Sequence, residues 1–234
     1  GELGVVTNPF AAIAPGHNLG MYSLQSAGLS LDWALERFYP EERNRLGGGI
    51  FSLLRKELAG IPPGAGGLVC APWLHGEQQP VPPSARLAFL GARPEHSRVH
   101  FIAAVLEGIA YTLRWRLEAY RSIGEIPLRI RAVGGGAENP IWMQMMADIL
   151  QAEIQVTENP RHAGTVGAAS FAWIGMGVYR NLSEAAGKIA VREHYYPRRE
   201  YMSRYDILYE ALKTAAPALD CFSRELSRFD NLSV

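Results

Sequence analysis

The sequence predicts a domain of the α/β or α+β class, and three observations carry that prediction. Segments that alternate apolar and polar residues are interleaved with segments of helical periodicity. The 234 residues are 48% hydrophobic, and a chain of this length can bury about 70% of its unfolded surface without disulfide or metal staples. Charge is balanced, with Lys+Arg 23 against Asp+Glu 23. That balance excludes a general nucleic-acid binder, which needs a basic excess, and a disordered chain, which needs high net charge.

The elements follow in order. Residues 5–7 and 21–25 read as short strands. Leu31, Trp33, Ala34, Leu35 and Phe38 give a helical pattern that stops before Pro40. Gly47, Gly48 and Gly49 read as a linker. Ile50, Leu53, Leu54 and Leu58 stripe a short helix that ends before Pro62. A buried strand is expected over 67–73, then a proline-rich loop over 76–83. A long helix spans about 96–121, with Phe101, Val105, Ile109, Leu113 and Leu117 on its apolar side and Arg114, Arg116, Glu118 and Arg121 on its wet side.

The run 128–133 alternates strictly and is expected to be a strand. It leads directly into Gly134, Gly135, Gly136 and Ala137. Asn139 then stands as a helix N-cap, with Pro140 at the first helical position and Trp142, Met145, Met146, Ile149 and Leu150 behind it. A strand at 153–157, a small-residue helix at 163–178 and a short helix at 183–189 follow. A last helix is striped by Tyr201, Tyr205, Leu208, Tyr209 and Leu212.

The strand–glycine–helix unit is the strongest chemical signal. Consecutive glycines let a ligand approach the backbone, and a helix N-terminus with free N–H groups suits a phosphate or a nucleotide edge. The competing reading is a tight strand-to-helix turn with no ligand. The dinucleotide fingerprint G-x-G-x-x-G fails because its third position is Asn139, and no P-loop string occurs. There is no G-x-S-x-G elbow. The six histidines, including His75, His162, His96 and His100, show no zinc spacing, so no metal site is expected. Glu107 and Asp148, each inside a helix, read either as solvated charges or as paired structural anions. The Arg192–Arg199 stretch, with Tyr195 and Tyr196, is too small for a nucleic-acid patch.

Cys70 and Cys221 are far apart and are expected to be thiols in a reducing compartment, which points to the cytoplasm. No apolar run reaches the roughly 18 residues that a membrane helix needs. The chain opens on Gly1 with no signal-peptide pattern.

The segment from Gly134 to Asp148 resembles the G-G-G-A-x-[NS]-x-x-W-x-Q-x-x-A-D signature of the FGGY carbohydrate kinases, the family of xylulokinase and glycerol kinase. Five other segments are similar to family motifs, in the family's order. They are Gln25 to Trp33, the Leu74-His75-Gly76-Glu77-Gln78-Gln79-Pro80 loop (G-E-R-x-P), Ala104 to Ala110 (A-x-x-E-G-[IV]-A), Gly164 to Ala169, and Tyr196-Pro197 with Tyr205 and Tyr209. The resemblance spans essentially the whole chain but only the C-terminal half of such a kinase, with a pattern closer to the xylulokinase branch.

The resemblance implies an α/β domain of the actin-like ATPase (ribonuclease H-like) fold, a mixed sheet flanked by helices. It implies ATP and Mg²⁺ as cofactors, a small sugar or polyol as substrate, no nucleic acid or membrane partner, and a homodimer. It places adenosine against Gly134, Gly135, Gly136 and Ala137, with Asn139 as an amide ligand or a plain N-cap. Gly28 falls on the phosphate side, and Asp32 stands where relatives carry Gln, Glu or Arg. No catalytic residue is expected within 1–234: the aspartate base of the family belongs to an N-terminal domain upstream of Gly1, which then reads as a cut in a longer sequence. Gln78 stands where the family motif has arginine, so neither a substrate-loop nor a salt-bridge role is carried over to that position. The alternative is a non-catalytic actin-like binding or scaffolding module derived from such a kinase.

Overall fold

The structure, a computed structural model, describes residues 9–11, 18–20, 23–78, 80–120 and 129–230. The expected strand at 5–7 and the first residues of the one at 21–25 lie outside this set, as do Gln79, Arg121 and Leu128. Residues 23–25 are irregular rather than extended.

β1 (Pro9–Ala11) and β2 (Asn18–Gly20) form an antiparallel pair. α1 (Ala27–Phe38) follows, and Tyr39 separates it from α2 (Pro40–Leu46). Pro40 suits a first helical turn because its missing N–H is not needed there, and Glu41 and Glu42 meet the positive end of the helix dipole. One 3₁₀ turn, Gly47–Gly49, leads to α3 (Ile50–Leu58), which buries Ile50, Leu54 and Leu58. β3 (Val69–Ala71) is buried along its length and pairs antiparallel with β4 (Ala88–Leu90).

α4 (Arg98–Tyr120) is the spine of the molecule. The stripe expected from its sequence is a correction. Residues 102–112 are all buried, and so is Arg116, which is 1% exposed. The reason is that α4 packs against α1, α3 and β3 and also against α5 (Pro140–Leu150), so it has little wet side over this stretch.

The second half builds a mixed sheet. β5 (Arg129–Ala132) runs parallel to β6 (Glu153–Thr157) through α5, and β7 (Val191–Tyr195) pairs antiparallel with β6. The sheet order is β5-β6-β7, with a register shift between Val156 and Thr157. α6 (Ala163–Gly175) and α7 (Leu182–Gly187) lie between β6 and β7, and α8 (Arg199–Asp230) closes the described chain.

The core falls into three clusters. One joins α1, α3 and α4 with Met145. A second joins β3, Trp73, Tyr111 and the Tyr205–Tyr209–Leu212 face of α8. A third packs α5 on β6 through Met143, Ala147, Leu150, Ile154 and Val156. Both cysteines are free, and burial pushes the Cys70 thiol well above its ordinary range.

Candidate functional site

The glycine turn sits between β5 and α5, as its sequence predicts. Gly134 adopts φ 89°, a left-handed conformation that a side chain would strain, and its N–H donates to the Pro160 carbonyl at 2.7 Å. Residues Gly135–Glu138 make a 3₁₀ turn in which Ala137 is buried. Arg161 closes the turn from outside, its Nε donating to Glu138 Oε2 at 2.5 Å.

Asn139 is the N-cap of α5. Its Oδ1 accepts from the N–H of Ile141 at 3.1 Å and of Trp142 at 3.3 Å. Pro140 has no N–H, and Met143 N donates to the Asn139 carbonyl. The expectation that this helix offers free N–H groups is therefore corrected: its cap consumes them. The donors left at the turn are the N–H groups of Gly135 and Gly136, which have no partner outside the turn among the described residues.

The reason for each glycine differs. Gly134 is required by its φ, and Gly136 by the Trp142 ring, into which a Cβ would run. At Gly135 a Cβ would stand an ordinary 3.9 Å from Arg161 Cζ, and at Gly28 it would meet nothing within 4 Å. Packing thus explains two of the four glycines and leaves Gly28 and Gly135 open to a ligand. Gly28 opens α1, which packs on α4 and α2, whereas the turn packs on α5 and the 160–162 segment. Asp32 is exposed and pairs with Arg43 at 3.1 Å.

A cleft of about 670 Å³ opens beside the first turn of α5, lined by Pro63, Pro140, Ile141, Gln144, Arg198 and Tyr201 among others. It begins one residue past Asn139, and the glycines of the turn do not line it.

Both helical carboxyl groups prove to be buried and hydrogen-bonded, and Asp148 is the one paired with a cation. Asp148 accepts from Arg198 Nη2 at 2.6 Å and from Gln144 Nε2 at 2.9 Å. Glu107 accepts from Gly64 N at 2.8 Å and Tyr205 Oη at 3.3 Å. Burial pushes its carboxyl up to about 8. Sequence reasoning missed the contact of Arg161 with Glu138 and those of Glu77 with Gln25 and Arg116, because these partners lie 23, 52 and 39 positions apart.

The arrangement is a strand–turn–helix with two open glycine positions and an exposed guanidinium, set on a mixed sheet among helices. Comparison with known proteins decides what that is. The model of the FGGY family of carbohydrate kinases, C-terminal domain, matches residues 3–176. The chain belongs to this family. It is similar to the xylulose kinase of Bacillus subtilis, 35% identical over 191 residues, a match covering 80% of this chain and 36% of that protein. A gluconokinase of Bacillus licheniformis is 30% identical over 187 residues, 78% of this chain and 36% of that one. Among solved structures, the xylulose kinase from Rhodospirillum rubrum superposes with a TM-score of 0.72 at 32% identity, covering 84% of this chain and 39% of that one. The fold is accordingly the actin-like ATPase fold of FGGY kinases. The chain spans well under half the length of these relatives.

Proposed function

We propose that this chain is the C-terminal, nucleotide-binding domain (1–234) of an ATP-dependent carbohydrate kinase that phosphorylates a sugar or polyol hydroxyl, with a xylulose-like ketose preferred. The observation that carries the reading is the glycine turn: a family-type strand–Gly-Gly-Gly-Ala–helix unit in which packing accounts for Gly134 and Gly136 but not Gly135. The similarity to xylulose kinases supports the substrate class.

ATP bound here supplies the phosphoryl group, with Mg²⁺ balancing its charge. The part of this chain is to bind and orient. Gly135 and Gly136 offer backbone N–H groups, and Arg161 stands next to Gly135. Gly28 brings a bare backbone to the phosphate side, and Asn139 keeps its Nδ2 for the adenosine while Oδ1 caps α5. The base and most sugar contacts belong, on this reading, to an N-terminal domain. Phosphoryl transfer is mainly positioning, so one domain alone is expected to bind nucleotide without turnover. The setting is cytoplasmic, and no helix among the described residues is long and apolar enough to cross a membrane. A second copy of the chain is the proposed protein partner, readable by sedimentation velocity on the same sample.

The test is a Mg-ATP titration of the chain followed by NMR. Amide shifts are expected at Gly28 and from Gly134 to Asn139, with no sugar phosphate formed. Shifts confined to other elements, or turnover of xylulose by the chain alone, would overturn the reading.

A further inference from the structure

We propose that the buried Glu77–Arg116 ion pair is a positioning device for the nucleotide site, holding the entry to α1 from Gln25 to Gly28 without touching the ligand itself. This rests on the ATP reading above and adds to it two residues outside the glycine turn.

The geometry is a convergence on one short stretch of backbone. Arg116 Nη2, from α4, meets Glu77 Oε1 at 2.5 Å, and both side chains are 2% exposed. The same carboxylate accepts the backbone N–H of Gln25, at 3.1 Å to Oε2 and 3.3 Å to Oε1, and that of Gln78 at 2.9 Å. Arg116 Nη2 also donates to the Gln78 carbonyl at 3.2 Å. Two residues before Glu77, the N–H of His75 donates to Ser26 Oγ at 3.1 Å. Ser30 Oγ donates to the Pro72 carbonyl at 2.5 Å. The 72–78 segment thus grips the entry to α1 at Gln25 and Ser26 and its first turn at Ser30, residues that flank Gly28.

α1 needs this grip because it does not cap itself. Ser26 stands at the N-cap position, but its hydroxyl is taken by His75 and makes no cap bond to the helix. A buried ion pair adds little stability over apolar residues of the same volume, because desolvating two charges offsets their attraction. Spending its carboxylate on the Gln25 amide, outside any helix or sheet ladder, fits a role in fixing where Gly28 sits. Gln78, next to Glu77, carries no charge, and the guanidinium that meets Glu77 comes from α4, 39 residues further along the chain.

The experiment compares the full chain with the double variant Glu77→Gln/Arg116→Met, which removes both charges together and leaves no buried ion unpaired. Two readouts are taken, amide hydrogen exchange without ligand and Mg-ATP titration by NMR. Exchange at Gln25 and through 26–30 should rise roughly tenfold or more while the buried stretch of α4 stays protected. Mg-ATP affinity should fall about tenfold, with the Gly28 shifts lost and the Gly134–Asn139 shifts retained. A purely structural role would move both sets together or neither. Ser26→Ala, a milder break in the same grip, should shift both readouts in the same direction and serves if the double variant does not fold. If the wild-type chain responds to Mg-ATP at Gly28 and the folded variants respond equally, the inference fails alone. If the wild-type chain shows no response at all, the nucleotide reading fails and the inference falls with it.

Discussion

A side chain at Gly28 has room that the protein itself does not use. Gly28→Ala should therefore leave stability unchanged or raise it by about 0.5 kcal/mol, since alanine is the better helix former. The same substitution should weaken Mg-ATP about tenfold if the backbone there meets a phosphate. Thermal melting and calorimetry on one sample separate the two effects, and unaltered affinity would remove Gly28 from the site. Glu107 allows a second test at this scale. Its carboxyl titrates near 8 in the fold against an ordinary 4.5, because burial disfavours the charge. Between those values the folded chain binds the extra proton, so stability falls as pH rises through the window. Glu107→Gln should flatten that slope and be the more stable form at pH 9, by on the order of 3 kcal/mol relative to its standing at pH 5. Urea titrations across pH read the slope. An unchanged slope would mean that the carboxyl is ionised at ordinary pH in the fold.

At the scale of elements, α5 shows how local chemistry fixes structure. Asn139 caps it, Pro140 opens it, and Gln151 ends it in the left-handed region at φ 54°. Asn139→Ala should cost about 1 kcal/mol by urea unfolding. Asn139→Asp should keep the cap, and a loss of nucleotide affinity in it reports the missing Nδ2 donor together with the negative charge it adds. Elements with a weaker local signature were not legible. α2 buries no residue, so no apolar stripe announces it, and Pro40 at its start reads equally as the end of α1. β7 alternates half-buried and exposed positions, and its charged and aromatic residues read as a surface cluster. α6 was legible as a helix through its small residues, although Phe171, Trp173 and the nearby Met176 and Val178 stay exposed.

Across the whole molecule, the crossing of α4 over β3 ties the clusters together. A Cβ on Gly108 would collide with the Cys70 carbonyl oxygen and stand 3.1 Å from Pro72 Cδ, and backbone cannot yield as a side chain can. Gly108→Ala should lose about 3 kcal/mol or more, visible as a lowered midpoint in denaturant; a wild-type midpoint would show that the two elements separate cheaply. The sequence by itself determined the strand–glycine–helix unit, the cap of α5, the order of the main elements and the family, because those signals act within a few residues along the chain. Only the tertiary structure decided which carboxyl groups are buried and what they hold. Glu77 reaches Gln25 across 52 positions, Glu107 reaches Gly64 across 43, and Asp148 reaches Arg198 across 50. A carboxylate in a helix reads the same in sequence whether it faces water or a backbone amide. Packing settles the matter, because a buried charge persists only where the fold brings it a donor.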